Sequence, residues 1–122
     1  MKFYQCKHCG NIIAYVDAKG PQVSCCGDIM GELKPNTVDA SKEKHVPVVT
    51  VEGQLVTVKV GSTPHPMTAE HSIKWIALET KMGNQRKELA VGGAPEATFM
   101  MCKGDSVVNV YAYCNLHGLW KA

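Results

Sequence analysis

The chain has 122 residues and a mass of 13.3 kDa, which allows one ordinary domain, or a small β domain with a mini-domain attached, and excludes a large multidomain enzyme. Thirteen Lys and Arg residues against eleven Asp and Glu residues leave a formal net charge of +2, too little for a dedicated nucleic-acid-binding protein. No apolar run approaches the roughly 18 residues of a membrane span. We therefore expect neither nucleic acid nor a membrane as a partner.

Six cysteines in so short a chain fit either a secreted disulfide framework or intracellular metal sites. The residues that precede Cys6 are Met1-Lys2-Phe3-Tyr4-Gln5, which contain no apolar signal segment. We expect a cytoplasmic location, where reducing conditions favour metal binding by clustered cysteines.

The first metal site is predicted from four cysteines near the start of the chain, Cys6, Cys9, Cys25 and Cys26. The first two form a Cys-x-x-Cys knuckle. The adjacent pair would point to opposite faces of an extended strand, so both sulfurs reach one ion only if the chain bends sharply, which Gly27 assists. Four thiolates suit zinc or iron, and the alternative of a zinc clip that only stabilises a mini-domain stays open.

A domain boundary is predicted at the turn-forming stretch Lys34-Pro35-Asn36-Thr37. It divides the chain into residues 1–36 and 37–122. A segment below roughly 40 residues needs a metal, a disulfide or a partner subunit to stay folded, and the four cysteines supply the first of these.

The second segment consists of short β-type runs separated by Gly, Pro and Asn. Strands are predicted over residues 46–51, 55–60, 73–80, 87–91, 97–101 and 107–113, with Gly53 in the hairpin turn between the first two. No stretch predicts an amphipathic helix of ten or more residues. The predicted fold is mainly β, with a small four-cysteine metal mini-domain followed by an immunoglobulin-like antiparallel β-sandwich.

A second set of metal-ligand residues lies in the predicted sandwich, namely His45, His65, His71, Cys114 and His117. Each lies in a loop or at the end of a predicted strand, where a rigid β scaffold can direct several side chains to one point. Imidazole suits iron, zinc, copper and nickel, and a thiolate favours the softer or redox-active ions. Five protein ligands leave one position open on a six-coordinate iron, and the neighbouring Lys44 would attract a small anion to it.

These two sets of residues, in this order, resemble the superoxide reductases, specifically the two-iron form called desulfoferrodoxin. The resemblance covers essentially the whole chain. Cys6, Cys9, Cys25 and Cys26 match the desulforedoxin-type iron domain, including its adjacent cysteine pair, and the chain from about residue 38 onward matches the neelaredoxin-type catalytic domain.

The resemblance implies two non-haem iron ions per chain, one held by the four cysteines and one by four histidines and one cysteine. It implies that His45, His65, His71 and His117 are the equatorial nitrogen ligands of the catalytic iron and that Cys114 is its axial thiolate. Glu43 would be the carboxylate that occupies the sixth position of oxidised iron, and Lys44 the cation that attracts superoxide and helps to organise proton delivery.

The implied activity is the one-electron reduction of superoxide to hydrogen peroxide, which detoxifies superoxide in an anaerobe or microaerophile. The implied partners are a rubredoxin-like electron donor and a second copy of the chain in a homodimer. Two alternatives stay open. One is a superoxide dismutase, which would also release dioxygen, and the other is a non-enzymatic rubredoxin-like electron carrier with a metal-stabilised β domain.

Overall fold

The computed structural model describes residues 1–122 and divides them into two compact units, Met1–Lys34 and Pro35–Ala122. The sequence-based boundary, after residue 36, lies close to this division. The assignment of one unit as an iron domain and the other as the catalytic domain stays a prediction.

The first unit has five very short strands, β1 (Phe3–Gln5), β2 (Ile12–Ala14), β3 (Ser24–Cys25), β4 (Asp28–Ile29) and β5 (Gly31–Leu33). Three of them form an antiparallel sheet in the order β2-β1-β5, and β3 pairs with β4 in a separate hairpin. Its buried apolar side chains are only Phe3, Cys6 and Met30. So small a core agrees with the expectation that this unit needs a metal or a partner subunit to stay folded.

The second unit has one four-residue helix and seven strands: α1 (Lys42–His45), β6 (Pro47–Glu52), β7 (Leu55–Val60), β8 (Ile73–Thr80), β9 (Gly83–Glu88), β10 (Glu96–Met100), β11 (Val107–Cys114) and β12 (Gly118–Lys121). They form two antiparallel sheets, in the orders β10-β7-β6 and β12-β11-β8-β9. No helix of the protein is long and apolar enough to span a membrane.

The core of the second unit is filled by alternate residues of its strands, as a sandwich requires. On β7 the inward positions are Val56, Val58 and Val60, and all three are fully buried. Phe99 joins them from β10, while the other sheet contributes a further set, Ile73, Ile76, Leu78, Val110, Ala112 and Cys114. The predicted β-sandwich is confirmed, and so is Gly53, which lies at φ +60° in the β6–β7 turn.

No strand was predicted for the first unit, and two strands of the second unit differ from the prediction. The strand predicted over residues 87–91 is β9, which covers Gly83–Glu88 instead, and β12 was not predicted at all. All six residues of β9 are exposed, so the strand has no apolar alternation by which to recognise it. β12 has only four residues, too few for a periodic pattern.

An irregularity in the pairing of β8 with β11 lies close to the predicted site. Tyr113 pairs with Trp75, but the next residue, Cys114, pairs with Ile73, so Lys74 is an extra residue on β8. Such a bulge reverses the inward and outward alternation beyond it. As a result both Ile73 and Cys114 face the core.

Candidate metal centres

The four cysteine sulfurs of the first unit lie within 4.8 Å of one another. The Cys9 and Cys25 sulfurs are 3.6 Å apart, and those of Cys25 and Cys26 are 4.0 Å apart. Four sulfurs bound tetrahedrally to one ion at about 2.3 Å are separated by about 3.8 Å. The four side chains therefore fit a tetrahedral thiolate site.

The bend expected at the adjacent cysteines is a two-residue hairpin turn. Cys25 ends β3 and pairs with Asp28, the first residue of β4, so only Cys26 and Gly27 lie in the turn. Their φ angles are +52° and +81°, the positive values that a type I′ turn needs at both positions. This left-handed turn allows neighbouring sulfurs to approach the same point.

The electrostatics of the four thiols favour a bound cation. The backbone N–H groups of Cys9 and His8 donate hydrogen bonds to the Cys6 sulfur and lower its pKa to about 6. The pKa of Cys26 is raised to about 12, first by its interactions with Cys9 and Cys6. Thiols this close cannot all ionise without a positive charge among them, and a metal ion supplies that charge.

Asp28 connects the two halves of this site and was missed by the sequence analysis. Its carboxylate lies 2.5 Å from His8 Nε2 and 3.5 Å from Lys7 Nζ, so it ties the Cys-x-x-Cys knuckle to the hairpin that carries Cys25. No motif marks this contact, because the partners are 20 residues apart and an exposed Asp is an ordinary turn residue.

The second group of predicted ligands comes together in the β-sandwich unit. The ring centroids of His45 and His65 are 4.7 Å apart, those of His65 and His71 4.6 Å, those of His71 and His117 5.1 Å, and those of His117 and His45 4.9 Å. The diagonal between His45 and His71 is 6.4 Å. The four imidazoles thus occupy the corners of a slightly flattened square.

The Cys114 sulfur belongs to the same cluster. Donor atoms of Cys114, His45, His65 and His71 lie within 4.8 Å of one another, and His117 Nδ1 is 3.8 Å from the sulfur. Cys114 is fully buried at the end of β11, while the histidines lie on α1 and in the loops that precede β8 and β12 or follow β7. Five chain segments therefore each place one potential metal-ligand atom in the same cluster.

The tautomers of the two most buried rings leave their other nitrogens free for an ion. His45 Nδ1 donates to the Ser41 carbonyl at 2.5 Å, and His65 Nδ1 donates to the Pro66 carbonyl at 2.7 Å. In the neutral rings both Nε2 atoms then carry lone pairs, yet these atoms are only 3.2 Å apart. Two facing lone pairs without a proton between them repel, and a shared cation removes the repulsion.

Two further observations test whether a metal fits here. His71 Nε2 is buried and has no hydrogen-bond partner, as expected of an atom reserved for a ligand. His45 Nε2 lies 3.1 Å from His117 Nδ1, and two nitrogens bound at right angles through bonds of about 2.1 Å would be about 3.0 Å apart. The donor set fits one ion coordinated by imidazoles and a thiolate.

Trp120 contacts two of the predicted ligand residues, the ring of His45 and the backbone of His117. Its indole is fully buried and stacks on His45 with a centroid distance of 4.8 Å and an angle of 27°. Its Nε1 donates a hydrogen bond to the backbone carbonyl of His117 at 3.1 Å. Neither these contacts nor the Ser41 and Pro66 carbonyls could be predicted from the sequence, since backbone partners leave no mark in a sequence.

The cluster is buried on one side and accessible on the other. Only 2% of His45 and 3% of His65 is exposed, whereas His71 and His117 are half-buried. Burial is the main cause that lowers the pKa values of His45, His65 and His71, that of His65 to about 4. The lowered pKa values favour the neutral form of these three imidazoles, which is the form that binds metal.

Glu43 and Lys44 lie exposed on α1, directly before His45. The pKa of the Glu43 carboxyl lies below its ordinary value, chiefly because the Ser41 hydroxyl stabilises its charged form. Lys44 is close enough to the cluster for its positive charge to contribute to the lowered pKa of His71. One negative and one positive side chain therefore border the histidine cluster.

Comparison with known proteins agrees with this geometry. A family model described as Desulfoferrodoxin matches residues 37–122, the part of the chain that carries the histidine cluster. The chain belongs to the desulfoferrodoxin family. The resemblance stated from the sequence motifs is confirmed.

Some similar proteins match nearly the whole chain, and others match about two thirds of it. A desulfoferrodoxin from Nitratidesulfovibrio vulgaris is 46% identical over 121 residues, which cover 99% of this chain and 94% of that protein. A crystal structure of the superoxide reductase from Treponema pallidum matches with a TM-score of 0.84 and 45% identity, covering 99% of this chain and 97% of that one. A superoxide reductase of the 1Fe-SOR type from Giardia intestinalis matches 66% of this chain and 96% of its own, with 38% identity and a TM-score of 0.56.

The cofactor content follows from the family and the two donor sets together. The four-cysteine site and the site of four histidines and one cysteine match the two non-haem irons of a desulfoferrodoxin.

Proposed function

We propose that this protein is a superoxide reductase, which adds one electron and two protons to superoxide and releases hydrogen peroxide. The observation that carries this conclusion is the square of four imidazoles with the Cys114 sulfur beside it, accessible to solvent at His71 and His117. The family relationship and the match to the Treponema pallidum superoxide reductase support it independently.

We assign the ligands of the catalytic iron as His45, His65, His71, His117 and Cys114, and those of the first iron as Cys6, Cys9, Cys25 and Cys26. An iron ion in the histidine site supplies the single electron for the reaction when it is ferrous. The Ser41 and Pro66 carbonyls hold the His45 and His65 rings in one tautomer, and burial favours the neutral form of both rings by lowering their pKa values. Preorganised donors of this kind need no rearrangement when the substrate arrives.

Lys44 and Glu43 are the catalytic side chains of this proposal. The exposed Lys44 ammonium attracts the superoxide anion toward the accessible side of the cluster and helps to organise proton delivery. The Glu43 carboxylate, whose pKa lies below its ordinary value, would be the anion that covers the open position once the site is oxidised. Removal of either charge changes the approach of the substrate or the closure of the site, not the ligand set.

The two units have separate roles in this proposal. Residues 37–122 form the catalytic domain, in agreement with the 1Fe-SOR match, which covers 66% of this chain. Residues 1–36 form the desulforedoxin-like domain, whose iron relays electrons or stabilises its fold. A rubredoxin-like protein is proposed as the external electron donor that restores the ferrous state.

Two further features are proposed from the chemistry of the first unit. Val16, Val23 and Ile29 stay exposed there, and burying them against a second copy would compensate for the small core, so we propose a homodimer. All six cysteines are free, and thiolate sites are kept intact by reducing conditions, so we propose a cytoplasmic location.

The function is tested with a matched pair of cysteine variants. Cys114→Ser removes the sulfur that would bind the iron of the histidine site, while Cys102→Ser removes an exposed thiol outside both metal sites. Wild type and Cys102→Ser should bind two irons per chain, show two thiolate-to-iron absorption bands and consume superoxide. Cys114→Ser should lose one band and the activity. Equal activity in both variants, or a colourless zinc protein, would contradict the proposal and favour a metal-stabilised electron carrier.

A further inference from the structure

The side chain of Asn115 joins two of the segments that carry the histidine site. Asn115 lies in the three-residue loop between Cys114 and Gly118. Its side-chain carbonyl accepts a hydrogen bond from the Ser72 backbone N–H at 2.9 Å, and its side-chain N–H donates to the Glu70 backbone carbonyl at 2.8 Å. These partners fix the orientation of the amide, since a backbone N–H only donates and a carbonyl only accepts.

The two partners of the Asn115 side chain, Glu70 and Ser72, are the residues directly before and after His71. The Asn115 backbone N–H adds a third bond, to the Ser72 carbonyl at 3.2 Å. The 70–72 segment is thereby fixed to the loop that directly follows Cys114 and carries His117. Ser72 is 1% exposed, so its N–H would have little access to water if the Asn115 carbonyl were removed.

His71 depends on such backbone anchors more than the buried histidines do. The rings of His45 and His65 are each held by a hydrogen bond from Nδ1 to a backbone carbonyl. The His71 ring makes no hydrogen bond within the protein, and its Nε2 is the buried nitrogen without a partner. Its position follows from the backbone, which Thr68 holds on one side through the His71 N–H and Asn115 holds on the other.

We infer that Asn115 is a positioning residue of the catalytic centre, which fixes the His71 imidazole relative to Cys114 and His117. The inference rests on the proposed ligand set, since it concerns the placement of one of those ligands. Without the amide, His71 should move or turn away from the point that the other donors share, and that site should hold its iron less firmly. The four-cysteine site should be unaffected.

The test compares iron release from the two sites of the same two-iron protein. Asn115→Ala should release the histidine-site iron to a colorimetric chelator about tenfold faster than wild type, as is typical when an outer support of a ligand is lost. Release from the four-cysteine site should stay unchanged and serves as an internal control. The thiolate-to-iron band of the histidine site should also shift, which a general loss of stability would not cause.

Two further variants make the result decisive. Asn109→Ala removes an Asn side chain on β11, the strand that ends directly before Asn115, and that side chain donates to Glu79 at 2.8 Å. This variant should leave the release rates and both bands at their wild-type values. Asn115→Asp keeps an acceptor for the Ser72 N–H but loses the donor to the Glu70 carbonyl, so it should release iron at an intermediate rate. If Asn115→Ala does not fold, Asn115→Asp replaces it in the test. Release within twofold of wild type and an unshifted band in the folded Asn115 variants would overturn the inference.

The same experiment separates this inference from the proposed function. If Cys114→Ser leaves the second band and its release rate unchanged, the proposed ligand set is wrong. If Cys114→Ser abolishes the band but the Asn115 variants behave as wild type, the ligand set stands and only the role of Asn115 is rejected.

Discussion

A methyl group placed on Gly61 would lie 2.6 Å from the backbone carbonyl oxygen of Glu43 and 3.0 Å from that of Val46. The same Glu43 carbonyl accepts a hydrogen bond from the Thr63 N–H at 2.9 Å. The backbone of the loop after β7 is thus packed directly against α1, the helix that carries Glu43, Lys44 and His45. The position requires a residue without a side chain.

Gly61→Ala should therefore displace α1 and the ligand that ends it. Overpacking against backbone atoms costs about 1–3 kcal/mol, and we expect a loss of that size in the free energy of unfolding, with weaker iron binding in the histidine site. Urea denaturation and iron analysis measure both effects. Gly31→Ala is the matched control, because a methyl there has nothing within 4 Å and the backbone is not left-handed. Equal free energies of unfolding for Gly61→Ala and Gly31→Ala would show that the loop after β7 accommodates the methyl group without cost.

Gly27→Ala should weaken the four-cysteine site by a different cause. No atom lies within 4 Å of the added methyl group, but Gly27 has φ +81°, a conformation that costs an alanine about 1–2 kcal/mol. Gly27→Asn should be tolerated better, since Asn adopts this conformation more readily. During guanidinium titration, iron retention by the four-cysteine site should decrease in the order wild type, Gly27→Asn, Gly27→Ala. An alanine variant as stable as wild type would mean that the turn is not held in the left-handed form.

Trp120→Phe should loosen the histidine site while keeping an aromatic ring against His45. The variant loses the hydrogen bond from Nε1 to the His117 carbonyl, a contribution of about 1 kcal/mol, and part of the buried volume. We expect a lower thermal midpoint and faster iron loss from the histidine site. Trp75→Phe, at a Trp that stacks on Tyr113 with a centroid distance of 5.5 Å, should lower the midpoint without selective iron loss. Equal iron loss in the two variants would argue against a specific role for Trp120.

The metal-free protein should lose stability as the pH falls below about 6.5. The pKa values of His45, His65 and His71 are lowered in the folded state, chiefly by burial, and that of His65 reaches about 4. The unfolded chain then binds protons that the folded chain does not, so acid favours unfolding until the pH passes the folded-state pKa. Urea midpoints of metal-free protein between about pH 7.5 and pH 5 measure this. A midpoint that is constant or rises toward acid would contradict the buried, neutral state of the rings.

The sequence was most informative where burial and ligand chemistry follow simple patterns. The strands over residues 55–60 and 73–80 match β7 and β8, because their apolar residues face the core between the sheets. The Cys-x-x-Cys knuckle, the bend at Gly27 and the five histidine-site residues were also predicted from the sequence, the last through chemistry and family resemblance together.

The rest depended on tertiary contacts that no local pattern records. Strand β9 is a fully exposed edge strand of polar residues, and its existence follows only from its pairing with β8. The extra residue Lys74, the close approach of Gly61 to α1 and the amide bonds of Asn115 all join segments distant in the chain. Local propensity does not contain such relationships, and a turn-forming Asn between two ligands reads as an ordinary loop residue.

The most direct test of superoxide reduction is the stoichiometry of products when superoxide is added anaerobically to the fully reduced protein. We predict one hydrogen peroxide formed and one ferrous histidine-site iron oxidised for each superoxide consumed, with no dioxygen beyond that of spontaneous dismutation. Sustained catalytic release of dioxygen, or consumption of superoxide without oxidation of that iron, would contradict the assignment.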